Sequence, residues 1–183
     1  MKSRFIKTIF LSALSTIVAF TAVTYTSCTP DKCKSVVCAY GGVCNEGSCI
    51  CQSGYEGAQC EFITRDKFLG VYQVVETGTI TDISHYTVSI NADPNNVTNV
   101  TITNFYNSIT TSVTGYVKGD SLYIPQKTYN NNTLTVQGYG YIQQEGTTYA
   151  QHAQLTLYYS VVNAKGVVND FGTAAGSPSI WNK

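Results

Sequence analysis

The residue types able to do chemistry fall into three groups: cysteines, a few histidines and acids, and an unusual number of tyrosines. Seven cysteines lie between Cys28 and Cys60 and nowhere else, while the two histidines, His85 and His152, stand far from them. A catalytic zinc usually takes three protein ligands, and neither histidine has an acid or a cysteine beside it, so both read as bland residues. After residue 61 the acids are Asp66, Glu76, Asp82, Asp93, Asp120, Glu145 and Asp170, scattered mostly near turns. No pair of them has the look of a glycosidase dyad. Serine and threonine abound, but on alternating runs they reflect strand preference rather than an activated nucleophile. The expectation is no catalytic residue, no metal, no cofactor and no enzyme.

The cysteines can form either a metal site or disulfides. Zinc sites use close pairs such as Cys-x-x-Cys, and that spacing does not occur here. Disulfides need an oxidising compartment, so the choice depends on whether the chain is exported. Cys33, Cys38, Cys44, Cys49, Cys51 and Cys60 make an even set, with Cys28 left over. Six cysteines allow fifteen pairings. A Cys49–Cys51 bridge would close a strained small ring, and excluding it leaves about twelve. The residues alone go no further.

Tyrosine is the remaining chemistry, with eleven residues after residue 61. In Gln137-Gly138-Tyr139-Gly140-Tyr141 the two rings take the face opposite the glycines, and Tyr158 falls on the outer face of a long strand. Such rings shield sheet edges and glycine gaps. They also make a platform for a sugar or polymer, and Tyr139, Tyr141 and Tyr158 are the candidate ligand-binding residues.

The elements that position these groups begin with an export signal. Lys2, Arg4 and Lys7 precede an apolar run from Ile9 to Val23 interrupted only by Ser and Thr. Fifteen helical residues rise about 22 Å, short of a hydrocarbon core of about 30 Å, so a cleaved signal is expected over a permanent span. Cut before Cys28, the chain keeps eight Lys and Arg against eleven Asp and Glu, a formal charge of −3. A mildly acidic protein has no electrostatic footprint for nucleic acid. Tyr25-Thr26-Ser27-Cys28 resembles a bacterial lipobox, with Tyr25 where that family has an aliphatic residue. The resemblance implies that Cys28 is acylated, with palmitate among its acyl groups, and tethers the protein to the bacterial envelope, at the outer membrane. Ordinary secretion is the alternative.

Cys38-Ala39-Tyr40-Gly41-Gly42-Val43-Cys44 and Cys51-Gln52-Ser53-Gly54-Tyr55-Glu56-Gly57-Ala58-Gln59-Cys60 resemble the EGF-like family over about residues 33–61. That resemblance implies Cys33–Cys44, Cys38–Cys49 and Cys51–Cys60 bridges. Thr29-Pro30-Asp31-Lys32 lacks the acidic run that calcium-binding members carry. Gly54 and Gly57 suit turns with positive φ. A unit this small depends on its bridges for stability, and it serves as a spacer or as a protein-recognition module.

From about Asp66 the composition turns to Thr, Tyr, Val and Ile with Asn and Gly between runs. Tyr86-Thr-Val88-Ser-Ile90 and Val100-Thr-Ile102 alternate strictly. Ile109, Thr111, Val113, Gly115 and Val117 share one face, and Ala153, Leu155, Leu157, Tyr159 and Val161 make the longest stripe. Period-two stripes predict antiparallel strands with one buried face. Turns are expected at Asp93-Pro94-Asn95-Asn96, Gly119-Asp120, Asn130-Asn131-Asn132 and Glu145-Gly146, giving a mainly β domain of about seven or eight strands. Phe68-Leu69-Gly70-Val71-Tyr72 is similar to the Gly-x-Trp start of lipocalin-like barrels, with Tyr for Trp. It implies an antiparallel meander barrel, with a β-sandwich as alternative. The expected organisation is a signal peptide over 1–27, an anchor and linker over 28–32, an EGF-like module over 33–61 and an antiparallel β domain over 62–183. The function expected is adhesion or binding of a protein or glycan partner. Carriage of a small apolar ligand inside the barrel, or a purely structural envelope role, are the alternatives.

Overall fold

Alternation of apolar and polar residues builds strands whose inner faces must find a common core, and in the computed structural model they find it by closing on themselves. The structure describes residues 31–144 and 153–183; the segment expected to be an export signal, Cys28, His152 and Glu145-Gly146, where a turn is expected, lie outside them.

The first described elements are short and disulfide-bonded. Strands β1 (Val43–Asn45) and β2 (Ser48–Ile50) form a hairpin, and β3 (Tyr55–Glu56) pairs with β4 (Phe62–Ile63). Glu46 and Gly47 turn the first hairpin with φ of 51° and 89°, the doubly left-handed geometry that suits two-residue loops. Bridges join Cys33 to Cys44, Cys38 to Cys49 and Cys51 to Cys60, with Cα–Cα separations of 5.8, 5.7 and 5.3 Å. Gly54 and Gly57 take φ of 92° and 99°, and Tyr55 stacks on Tyr40 with ring centroids 4.4 Å apart.

A 3-10 turn over Thr64–Phe68 leads into β5 (Gly70–Glu76), β6 (Ser84–Ala92), β7 (Asn99–Thr103), β8 (Val113–Lys118), β9 (Ser121–Tyr129), β10 (Leu134–Gln144) and β11 (Ala153–Asn163). Each pairs antiparallel with the next. The circle closes through β13 (Ser179–Asn182), which lies between β11 and β5. Among the described residues these eight strands form an antiparallel meander barrel, not a sandwich. Strand β12 (Val168–Phe171) pairs with β11 beyond β13, so β12 and β13 share one side of β11, separated by an excursion over 172–178. Beside β12 the barrel wall is completed by a loop, in which Thr79 N–H donates to the Asp170 carbonyl and Ile80 N–H to Asn169 Oδ1, each at 3.1 Å.

Gly119-Asp120 is the two-residue link between β8 and β9. Asn130, Asn131 and Asn132 all take left-handed φ, 50° to 66°, a conformation asparagine tolerates better than most residues. One expectation fails. The stripe from Ile109 to Val117 is not one strand, because β8 begins at Val113 and Thr111 is exposed. Left-handed Asn104, Tyr106 and Asn107 turn the chain away after β7, and residues 108–112 reach β8 as a loop. The Asn130 amide holds the loop by accepting from Thr110 N–H and donating to the Ser108 carbonyl. Ile109 is nevertheless buried, as an anchor dropped from a loop.

Aromatic side chains fill the interior. Phe68, Tyr72, Phe105, Tyr159, Phe171 and Trp181 are all fully buried, with Phe105 edge-on to Tyr159 at 4.8 Å and Tyr159 stacked on Phe171 at 4.3 Å. Tyr72 donates its hydroxyl to the Phe68 carbonyl at 2.8 Å, satisfying a buried polar atom where the chain enters the barrel. Burial holds this phenol well above its ordinary pKa.

The disulfide module is docked on the barrel by cations at its root. Lys67 Nζ, nearly buried, donates to both Glu56 oxygens at 3.0 and 2.9 Å and to Asp120 Oδ1 at 2.6 Å. Arg65 donates to the carbonyls of Asp93, Asn96 and Asn99, and Thr64 N–H reaches the Gly54 carbonyl at 2.9 Å. A Cβ at Gly54 would come within 2.6 Å of Val97 Cγ1, so the contact is close as well as polar. Replacing Lys67 by Met should leave both units folded but loosen the joint. Because Asp120 is mostly exposed and water screens that arm, the cost should be about 1–2 kcal/mol. Faster hydrogen exchange at Thr64 and Glu56 would register it; unchanged protection there would contradict the role given to Lys67.

Candidate functional site

Two arrangements stand out once the fold is built, one inside the barrel and one outside. The inner one centres on Glu76, at the end of β5 and buried. Its carboxylate accepts from the hydroxyls of Tyr86 at 2.7 Å, Tyr159 at 2.8 Å and Ser179 at 2.6 Å, and Trp181 Nε1–H donates to the Ser179 oxygen at 2.7 Å. Burial first, then the neighbouring Glu76 charge, pushes the Tyr86 phenol far above its usual range. Tyr159 shifts the same way, through burial and then through Tyr86 and Glu76. These phenols therefore stay protonated and keep donating. With every donor drawn from the barrel wall, the cluster is a closed polar brace inside an apolar core.

The outer arrangement is built from tyrosines. In β8 to β11 the positions opposite the buried stripe point outward, and register aligns four of them. Tyr116 pairs with Tyr123, Tyr123 with Tyr139, and Tyr139 with Tyr158. One ring per strand thus forms a row running across the sheet. Tyr116 and Tyr123 stack at 5.1 Å with planes 15° apart, and Tyr139 and Tyr158 at 5.3 Å with planes 12° apart. Centroid separations of this size mean offset stacking, a favoured geometry for aromatic pairs. Tyr141, the most exposed at 49%, stands edge-to-face at 73° to Tyr139 and 70° to Tyr158.

Small residues on the inner side make this row possible. A Cβ at Gly138 would come within 2.5 Å of Tyr159 Cβ, and one at Gly140 within 2.7 Å of the Thr156 carbonyl oxygen. Glycine at both positions lets β10 press against β11 while Tyr139 and Tyr141 ride on the opposite face. The pairing of β9 with β10 then slips between Val136 and Gly138, and at that bulge a groove of about 320 Å³ opens. Ile124, Gln126, Gln137, Gly138, Tyr139 and Thr173 line it. Thr173 belongs to the 172–178 excursion, held in place by Asp170, whose carboxylate accepts from the Thr173 amide at 2.7 Å and hydroxyl at 2.6 Å. Burial of Asp170 works the other way, but these hydrogen bonds and the Ala174 amide keep its pKa below the ordinary value.

Tyr139, Tyr141 and Tyr158 are thus gathered in one place. Sequence reasoning missed Tyr116 and Tyr123, although both fall on the outward parity of their strands, opposite Val113, Val117, Leu122 and Ile124. His85 is exposed on β6. Among the described residues no group of three His, Cys, Asp or Glu is placed to hold a metal ion. Fold and site together define a class: a closed antiparallel meander barrel with a side-chain-filled axis, a disulfide-bonded module on its rim and a tyrosine row on its outer wall. No family model matches the chain.

Proposed function

We propose that the chain is an exported, non-enzymatic lipoprotein of a bacterial envelope that binds partners outside the cell through the tyrosine row of its barrel. The observation that carries this reading is where the aromatic residues lie: one set fills the barrel axis, and a second is held in register on the outer wall. A filled axis favours recognition at the surface over carriage of an apolar ligand within. Tyrosine gives large, rigid contact area at low entropic cost, with a polar tip that tolerates water.

In this reading residues 33–61 are an EGF-like module acting as a spacer. Bridging in the order first to third, second to fourth and fifth to sixth supports it, as do the left-handed glycines of the Cys51–Cys60 segment. The barrel is lipocalin-like, supported by its meander closure and by Tyr72 buried where that family has Trp. Cys28 carries the acyl groups. More than one chain is needed for stable membrane attachment, and the Lys67 joint then holds the barrel at a set angle beyond the anchor.

The test is retention of cells expressing the full chain on plates coated with insoluble polysaccharide or with collagen. Cys28→Ala should abolish labelling by radioactive palmitate, release the protein from membranes and end retention. Tyr139→Ala with Tyr141→Ala should leave the protein on the membrane yet lower retention about tenfold, the equivalent of losing one good stacking contact. Palmitate labelling that survives Cys28→Ala would sink the anchor, and undiminished retention in the tyrosine variant would sink the binding face.

A further inference from the structure

We infer that the tyrosine row and the groove beside it take an extended, uncharged oligosaccharide. The inference rests on the reading that this face binds, and it adds the chemical class of what is bound.

Three observations carry it. The first is charge. Strands β8, β9, β10 and β11 contain no acidic residue and two basic ones, Lys118 and Lys127, and Lys127 is drawn over the Tyr129 ring at 5.6 Å. The groove itself is lined by amides, a hydroxyl, one ring and apolar atoms, which would meet an anionic polymer with no matched charge. The second is the pairing of aromatic surface with amides. A pyranose presents an apolar C–H face and a rim of hydroxyls that both donate and accept. Tyr139 supplies the ring against which such a face rests, and Gln126 and Gln137 each supply a donor and an acceptor beside it. The third is repetition. The tyrosines recur once per strand, so the row runs across four neighbouring strands beside the groove and offers contact along an extended chain.

The same features weigh against a polypeptide. Peptides recognised on sheets generally add a strand at a free edge, whereas β8, β9 and β10 are paired on both sides and β11 is flanked by β10 on one side and by β12 and β13 on the other. The site is also set in advance. Asp170 fixes the excursion that bears Thr173, and the ring contacts restrain the tyrosines, so little order has to be imposed on binding.

The experiment is calorimetric titration of the full chain, in a detergent without a sugar headgroup, with cellohexaose, β-1,4-mannohexaose, chitohexaose, hexagalacturonate and a proline-rich decapeptide. At least one of the three neutral hexasaccharides should bind, with affinity unchanged by added salt. Gln137→Ala, and Tyr139→Ala separately, should each weaken that binding about tenfold or more, with unaltered circular dichroism showing that the barrel is intact. Failure of all three neutral sugars overturns the inference, as does salt-sensitive preference for hexagalacturonate or binding of the peptide alone. If the sugars fail while cell retention still falls in the tyrosine variant, the ligand class is wrong and the binding face stands. If Tyr139→Ala affects neither measurement, both fall.

Discussion

Glu76→Leu should lower the stability of the barrel by about 3–6 kcal/mol, because two buried phenols each lose a hydrogen bond to a charged acceptor worth about 1.5–3 kcal/mol. The change removes the acceptor on which Tyr86, Tyr159 and Ser179 converge and leaves three hydroxyls in an apolar interior. Ser179 keeps one contact, because Trp181 Nε1–H still donates to it; the two phenols lose their carboxylate partner. Leucine is close enough in size that a cavity contributes little, so the loss reports the polar network. Urea denaturation at neutral pH should show the midpoint falling by more than about 1 M, given slopes of about 1–3 kcal/mol per molar for domains of this kind. Tyr159→Phe, which deletes one donor and keeps the ring stack on Phe171, should cost about 1 kcal/mol. A Glu76→Leu protein as stable as the parent would show that the carboxylate is dispensable to the core.

Cys51→Ala with Cys60→Ala should cost about 3 kcal/mol, the stabilisation expected from a bridge closing a short loop, and that loss falls on a unit with very little apolar core. Cys60 is fully buried, and a Cβ at Gly42 would lie 2.9 Å from its sulfur; the bridge is therefore the centre about which the module packs. Removing it should open residues 33–61 to limited proteolysis while the barrel resists, since no disulfide crosses from one to the other among the described residues. Protease resistance equal to the parent in that segment would show that the other two bridges suffice.

What could be read from sequence was whatever is local in character. Leu155, Leu157, Tyr159 and Val161 announce a strand with one buried face, and they are buried. Gly138 and Gly140 place Tyr139 and Tyr141 outside by simple parity. The left-handed residues at 104, 106 and 107 were not legible, because Ile109, Thr111 and Val113 happen to keep alternating through the loop that follows. Glu76 stood among acids assigned to turns, since its partners lie 10, 83 and 103 residues away and nothing local marks a buried carboxylate. Tyr116 and Tyr123 went unnoticed for a related reason: which tyrosine faces which depends on register across strands, a property of the closed sheet.

The seam where β13 joins β5 sets an order on assembly. Ser179–Asn182 must be present before the first barrel strand acquires its second neighbour, so a nascent chain carries an open sheet until those residues have been made. Contacts this distant in sequence are slow to form, and the exposed margin of β5 meanwhile invites pairing with other chains.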